Sequence, residues 1–270
     1  MEGPVKHHLS IVAAIFIATI NAGAADRDDA WKKVAEAEKN GLPKTAIEHL
    51  EPIIKSAIEE GATAEALKAV LKKIRFEGDV QGQKADEKIV RLQDAITTTP
   101  AILQPLMEAV LAHWYWQYFQ QNRWRFMQRT QTGETPGDDI LSWDLTRILA
   151  EIDKHFTLAL DSRNELRKIA VTDFDEVLQK GSMPESFRPT LYDFIAHEAL
   201  KFYSAGEQAA AAVQGAFDLN AESPAFDSPE TFIAWKIETT DEDSVLVKTL
   251  RLYQELMRYH SDSGQTDAFI

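Results

Sequence analysis

The chain has 270 residues, 44% of them hydrophobic, enough to bury a substantial core in one large domain or two ordinary ones. Forty-three Asp and Glu against 29 Lys and Arg give a net charge of -14, which repels phosphate backbones and argues against nucleic-acid or anionic-membrane partners. The lack of cysteine excludes disulfides, a thiol nucleophile, a lipid-modified N-terminal cysteine and thiolate metal sites.

At the N-terminus, Lys6 and two histidines precede the apolar run LSIVAAIFIATI (residues 9–20), and Ala22-Gly23-Ala24 offers small residues for cleavage. This is the pattern of a secretory signal peptide over residues 1–24, so the mature chain is expected in the periplasm or outside the cell. A retained anchor is the alternative, but twelve residues rise only about 18 Å as a helix, short of the ~30 Å hydrocarbon core. Cleavage removes one acid, Glu2, and one base, Lys6, leaving the charge at -14.

From Trp31 onward apolar positions recur at helical spacing, and no alternating run is bounded by hairpin turns, so the fold is expected to be all-α. Residues 25–130 read as a first subdomain of helical hairpins. Asp28 or Asp29 can cap a helix through Trp31, Val34 and Ala35 that Gly41 ends at C′, and Pro43 suits the first position of the next. That second helix carries Ala46, Ile47, Leu50, Ile53, Ile54 and Ala57 on one face up to Gly61, and a third spans about 63–76. Pro52 predicts a kink or a break after Glu51, because its ring removes a donor and clashes with the preceding turn. EGDVQGQKAD (77–86) reads as a loop before a helix over 87–96. Such helices between Gly and Pro punctuation make antiparallel hairpins, stacked in a tetratricopeptide-like manner in one elongated or two packed subdomains. The strict repeat signature is absent; AWKKVAEAEKNGLPKTAIEHL echoes it only loosely.

Thr99-Pro100 reads as an N-cap hydroxyl and an N1 proline opening the longest helix. That helix holds HWYWQYFQQNRWRF (113–126), with seven aromatics and two arginines. Leu103, Met107, Val110, Leu111, Trp114, Tyr115, Tyr118 and Phe119 form one apolar stripe, each buried ring being worth on the order of 2–3 kcal/mol. Trp116 lies off the stripe and should meet a neighbouring helix, while Arg123, Arg125 and Arg129 complement the helix C-terminus and can stack on Trp124. A nucleic-acid groove, a partner surface and a helix core would all use such residues; charge and periodicity together favour the core.

QTGETPGDD (131–139) reads as a boundary and residues 139–218 as a second helical subdomain. Its helices run from near Trp143 through Ile148, Ile152, Phe156 and Leu160, then Leu166, Ile169, Phe174, Val177 and Leu178. KGSMPESFRP (180–189) interrupts them, and Pro189 starts a helix with Leu191, Phe194, Ile195, Ala199, Leu200 and Phe202. Residues 219–270 are expected to be a connector, LNAESPAFDSPE, and a C-terminal helix over 244–259 leading to further domains.

Chemistry-bearing patterns are incomplete. His197-Glu198 lacks the second zinc histidine, since position 201 is lysine, and reads as a helix-surface or cap contact. Glu151 and His155 share a helix face and read as a surface ion pair rather than an acid–base couple. Asp173-Phe174-Asp175 lacks the glycine and further oxygen ligands of a calcium loop, and Gly78 and Gly82 before Lys84 lack phosphate-loop spacing. No catalytic, cofactor-binding or metal-binding residue is therefore assigned, and no cofactor is expected.

Trp31, GLPKTAIEHLEPIIKSAIEEG, LAHWYWQYFQQNRWRFMQRT, DDILSWDLT and LRLYQELMRYH, taken in order, resemble the N-terminal helical region of secreted bacterial alpha-2-macroglobulin-like proteins. The resemblance covers most of residues 31–260. It implies the leading, non-catalytic portion of a very large protease inhibitor, in which cleavage of a bait segment rearranges β-domains and encloses the protease. Some members add a Cys-Gly-Glu-Gln thioester, which a chain without cysteine cannot form. The implied partners are target proteases or envelope proteins, and no functional residue is carried over. Two rivals stand beside this: a free-standing periplasmic helical-repeat adaptor that holds a protein partner in its groove, and an enzyme of unrecognised type, disfavoured because no nucleophile, base and orienting group assemble.

Overall fold

A computed structural model describes residues 26–82, 84–128, 139–179, 182, 184–206, 208 and 217–269. The expected signal peptide and the 131–138 part of the expected boundary lie outside these residues. Among the described residues every regular element is helical, and the β-pairing is a single antiparallel bridge between Ala170 and Thr190. The chain divides into two compact units, one ending at Leu103 and the other beginning at Gln104.

The first unit holds α1 (26–39), α2 (Pro43–Glu59), α3 (Thr63–Gln81) and α4 (Ala85–Thr98). Two turns twenty residues apart reverse the chain in the same way. Gly41 at φ 67° lets its own N–H reach Glu38 O at 3.1 Å and Leu42 N–H reach Ala37 O at 2.9 Å. Gly61 at φ 71° repeats this, with its N–H 3.2 Å from Ile58 O and Ala62 N–H 2.8 Å from Ala57 O. Both are glycine-ended helix stops that satisfy otherwise orphaned carbonyls. With three residues between helices, α1, α2 and α3 run antiparallel to their neighbours, burying Val34, Ala37, Leu50, Ile53, Ala69 and Phe76. Polar clamps hold the rim: Arg27 reaches Glu60 at 2.6 Å and Glu65 at 2.9 Å, and the Trp31 indole donates to Glu65 at 2.7 Å.

Four local expectations change here. The helix is already formed at residue 26, so Asp28 and Asp29 lie inside it, with Asp29 paired to Lys32 rather than capping. Pro52 sits inside an unbroken α2 on its exposed face, where water can satisfy the carbonyl one turn back. Residues 77–81 continue α3 instead of looping, because Phe76 and Gly78 are buried against the unit. The Thr99 hydroxyl closes α4, donating to Ala95 O at 2.6 Å, and the next helix starts five residues later with Pro105 as its second residue.

The second unit contains α5 (Gln104–Gln121), α6 (Arg123–Gln128), α7 (Leu145–Leu160), α8 (Arg163–Leu166), α9 (Leu191–Tyr203), α10 (Pro229–Ala234), α11 (Val245–Ser263) and α12 (Thr266–Phe269), with short 3-10 turns between. The aromatic α5 packs along α7, and α11 packs on α9, so both the aromatics and the C-terminal helix belong to this unit. The division thus falls ahead of the 131–139 segment. The long aromatic helix breaks at Asn122, whose side-chain amide donates to Tyr118 O at 2.8 Å and ends α5. Asp144 caps α7 by accepting from Arg147 N–H at 2.8 Å, and α11 runs from the Ser244 cap to Gly264 in the left-handed region, one turn beyond residue 259. Pro189 precedes the cap of α9 instead of starting the helix; Thr190 is the cap.

Candidate functional site

Most of the aromatic stretch faces inward. Leu103, Met107, Leu111, Tyr115, Tyr118 and Phe119 are buried, while Val110 and Trp114 are half-buried. Tyr115 stacks on Trp143 and on His155, each at 5.5 Å between ring centres. Trp116 meets Phe202 of α9 edge-on at 5.7 Å, the neighbouring-helix contact its off-stripe position implies. Arg125 does not stack on Trp124; its guanidinium lies 4.7 Å from the Phe126 ring and 5.4 Å from Tyr118, and Trp124 is 75% exposed.

Glu151 and His155 are together on α7, as their spacing requires, but they are buried rather than superficial. Packing of α5 on α7 brings in Glu108, forty-seven positions away, which accepts from His155 Nδ1 at 2.5 Å. On the other side His155 Nε2 stands 3.3 Å from Glu151 Oε1, near enough for an ion pair but off-line for a hydrogen bond. Lys154 at 2.6 Å and Arg147 at 3.2 Å complete the Glu151 carboxylate. Burial by itself would lower the His155 pKa, but the two flanking carboxylates outweigh it and hold it above its ordinary value. The His155 imidazole, backed by Lys154, draws Glu151 down to about 2.

A second buried cluster escaped sequence reasoning. Thr190 and Asp193 form a capping box at the start of α9: the Thr190 N–H and hydroxyl donate to Asp193 Oδ2 at 2.9 and 2.7 Å, and Asp193 N–H donates to Thr190 Oγ1 at 3.2 Å. The other carboxylate oxygen lies 2.7 Å from His260 Nε2, near the end of α11, and Gln265 Oε1 lies 2.9 Å from His260 Nδ1. Burial would raise the Asp193 pKa, yet the contacts with His260 and Thr190 keep it below the usual carboxylate range. Beside it Arg167 lies between the Tyr192 and Tyr259 rings at 4.4 and 4.3 Å and reaches Glu255 at 3.0 Å. Thr190-x-x-Asp193 before an apolar run was a readable cap signature; the histidine sixty-seven positions on was not.

The remaining patterns are local. His197 Nδ1 donates to Asp193 O at 2.7 Å, and burial lowers its pKa; Glu198 pairs with Lys201, the residue that replaces a second zinc histidine. Phe174, between Asp173 and Asp175, is buried in a 3-10 turn. Gly78 lies within α3, and Lys84 pairs with Glu87 at 3.2 Å. Among the described residues no group of three or more His, Asp or Glu could hold a metal ion, and no helix is long and apolar enough to cross a membrane. In both buried clusters the imidazole nitrogens lie within 3.3 Å of protein oxygens, and the contacts tie α7 to α5 and α11 to α9.

An open groove of about 480 Å³ lies on the outer side of α10, lined by Pro224, Glu230, Thr231, Ala234 and Trp235. Its base is fixed from behind. Gln254 of α11 donates to Phe232 O at 2.7 Å and Trp235 O at 2.9 Å, and Arg258 donates to Ile233 O at 2.9 Å, satisfying the carbonyls at the end of α10. Phe217 packs on Trp235 at 6.3 Å between rings, over a small core of Phe232, Ile237, Val247 and Leu250.

Compared with protein-family models, curated proteins and solved structures, the chain matches none.

Proposed function

We propose that this chain is the non-catalytic binding and scaffolding region of an exported alpha-2-macroglobulin-like protease inhibitor, its first unit stacked as tetratricopeptide-like hairpins. The observation that carries the reading is that two of the segments bearing the resemblance pack on each other inside the second unit. Tyr115 of LAHWYWQYFQQNRWRFMQRT stacks on Trp143 of DDILSWDLT, and LRLYQELMRYH ends at His260, the partner of Asp193. Segments far apart along the chain thus contribute to the interior of the second unit, which supports a scaffolding role. The partners are target proteases or envelope proteins, met outside the cytoplasm after removal of residues 1–24.

The test uses the full-length protein that contains this chain, exported and incubated with trypsin. The inhibitor reading expects cleavage within the product, compaction on a native gel, and trypsin that loses activity on casein while keeping it on a small chromogenic amide. Trypsin fully active on casein beside a folded product overturns it.

One observation favours a second reading, a helical adaptor that holds a protein partner: the groove at Trp235 is built wholly from the second unit, so partner binding there needs nothing beyond these residues. A product that leaves trypsin untouched yet retains an envelope protein through this groove supports the adaptor.

A further inference from the structure

The groove at α10 sits in the most acidic stretch of the molecule. Residues 217–243 contain eight acidic side chains, Asp218, Glu222, Asp227, Glu230, Glu238, Asp241, Glu242 and Asp243, and a single base, Lys236. A tenth of the chain thus carries half of its net charge. Glu230 is part of the groove wall, and Glu222 and Asp227 are exposed on the turn that supplies Pro224. Phe226, on that same turn, stands 66% exposed, and Trp235 is only half-covered. An apolar seat with an anionic rim is matched by a segment that carries both kinds of side chain, because the apolar contact supplies affinity and the charges supply orientation and encounter rate. Neither a purely acidic nor a purely apolar ligand fits both features.

We propose that this groove docks a cationic segment of a partner protein, one apolar side chain seated against Trp235 and Ala234 and flanking Lys or Arg side chains facing Glu230, Asp227 and Glu222. The base of the groove needs no rearrangement to receive it, since Gln254 and Arg258 already fix the end of α10. The proposal stands whether or not the inhibitor reading does, because it concerns the second unit alone.

The test is fluorescence anisotropy with three labelled nine-residue peptides on the intact chain: alternating lysine and leucine, alternating lysine and serine, and alternating glutamate and leucine. The lysine–leucine peptide is expected to bind, to weaken steeply between low salt and about 0.5 M salt, and to exceed both others by about tenfold or more. Ala234→Gln fills the groove at an exposed helix position without changing charge, and Glu230→Lys reverses the wall; each should weaken the lysine–leucine peptide by about tenfold. Both positions are solvent-exposed, and an unchanged circular dichroism melt shows that the variants are folded. Equal binding of the lysine–serine peptide, or undiminished binding to the folded Ala234→Gln variant, overturns the proposal in favour of diffuse charge attraction. No binding of the lysine–leucine peptide at low salt overturns it outright.

Discussion

Asp193 and His260 stand sixty-seven positions apart in sequence and 2.7 Å apart in space, with side-chain exposures of 0% and 1%. One carboxylate oxygen closes the cap of α9 and the other ties that helix to the end of α11, so a single side chain serves local and long-range structure together.

Removing it leaves a buried imidazole and an open cap. Asp193→Ala is expected to cost about 3–5 kcal/mol, as for a broken buried ion pair, against about 1 kcal/mol for Thr190→Ala, which loses only the cap. Urea unfolding of both variants checks this, and a double-mutant cycle with His260→Ala should return a coupling of about 1–3 kcal/mol.

The His155 cluster makes stability depend on pH in a defined direction. A histidine whose folded pKa lies above its ordinary 6.5 contributes fully below 6.5, and the contribution disappears as pH rises through the raised folded value. Glu151 behaves oppositely: held at about 2 against an ordinary 4.5, its contribution is present above 4.5 and is lost as pH falls through about 2. Melting points between about pH 6 and pH 9 should therefore fall in the native chain and lose much of that slope in Glu108→Gln, because Glu108 accepts the Nδ1 proton. An NMR titration of His155 gives the shift directly.

The glycines of the first unit should respond with opposite signs. Gly41→Ala and Gly61→Ala force a Cβ into the left-handed region and should each cost about 1–2 kcal/mol. Gly78 is in mid-helix, where a Cβ would meet Arg91 Nη1 at an ordinary 3.6 Å, so Gly78→Ala should gain about 0.5–1 kcal/mol. Thermal melts of the three variants distinguish the positions.

What could be read from the sequence was local. Gly41, Pro43 and Gly61 mark helix ends by their own backbone chemistry, and the 3.6-residue period of Leu50, Ile53 and Ala57 marks a buried face regardless of what covers it. Pro52 does not break α2, because the cost of an interior proline depends on whether the carbonyl one turn back faces water, which is a fact about packing. Residues 77–81 look like a loop by composition, yet the burial of Phe76 and Gly78 overrides weak propensity. The unit boundary was displaced for the same reason: the partner of α5 is α7, across the Gly and Pro segment rather than before it. Glu151 and His155 were visible as an i, i+4 pair, but not Glu108 or their burial, and nothing in the LNAESPAFDSPE connector announces that Pro224 and Trp235 form a groove.

Four of the seven rings in the aromatic segment, Tyr115, Tyr118, Phe119 and Phe126, are interior structure rather than a contact surface. Urea unfolding of Tyr115→Ala beside Trp124→Ala tests this most directly. Buried Tyr115, stacked on Trp143 and His155, should cost about 3–5 kcal/mol on truncation, and exposed Trp124 less than about 0.5 kcal/mol. Losses of similar size at both positions, or a near-zero loss at Tyr115, would contradict it.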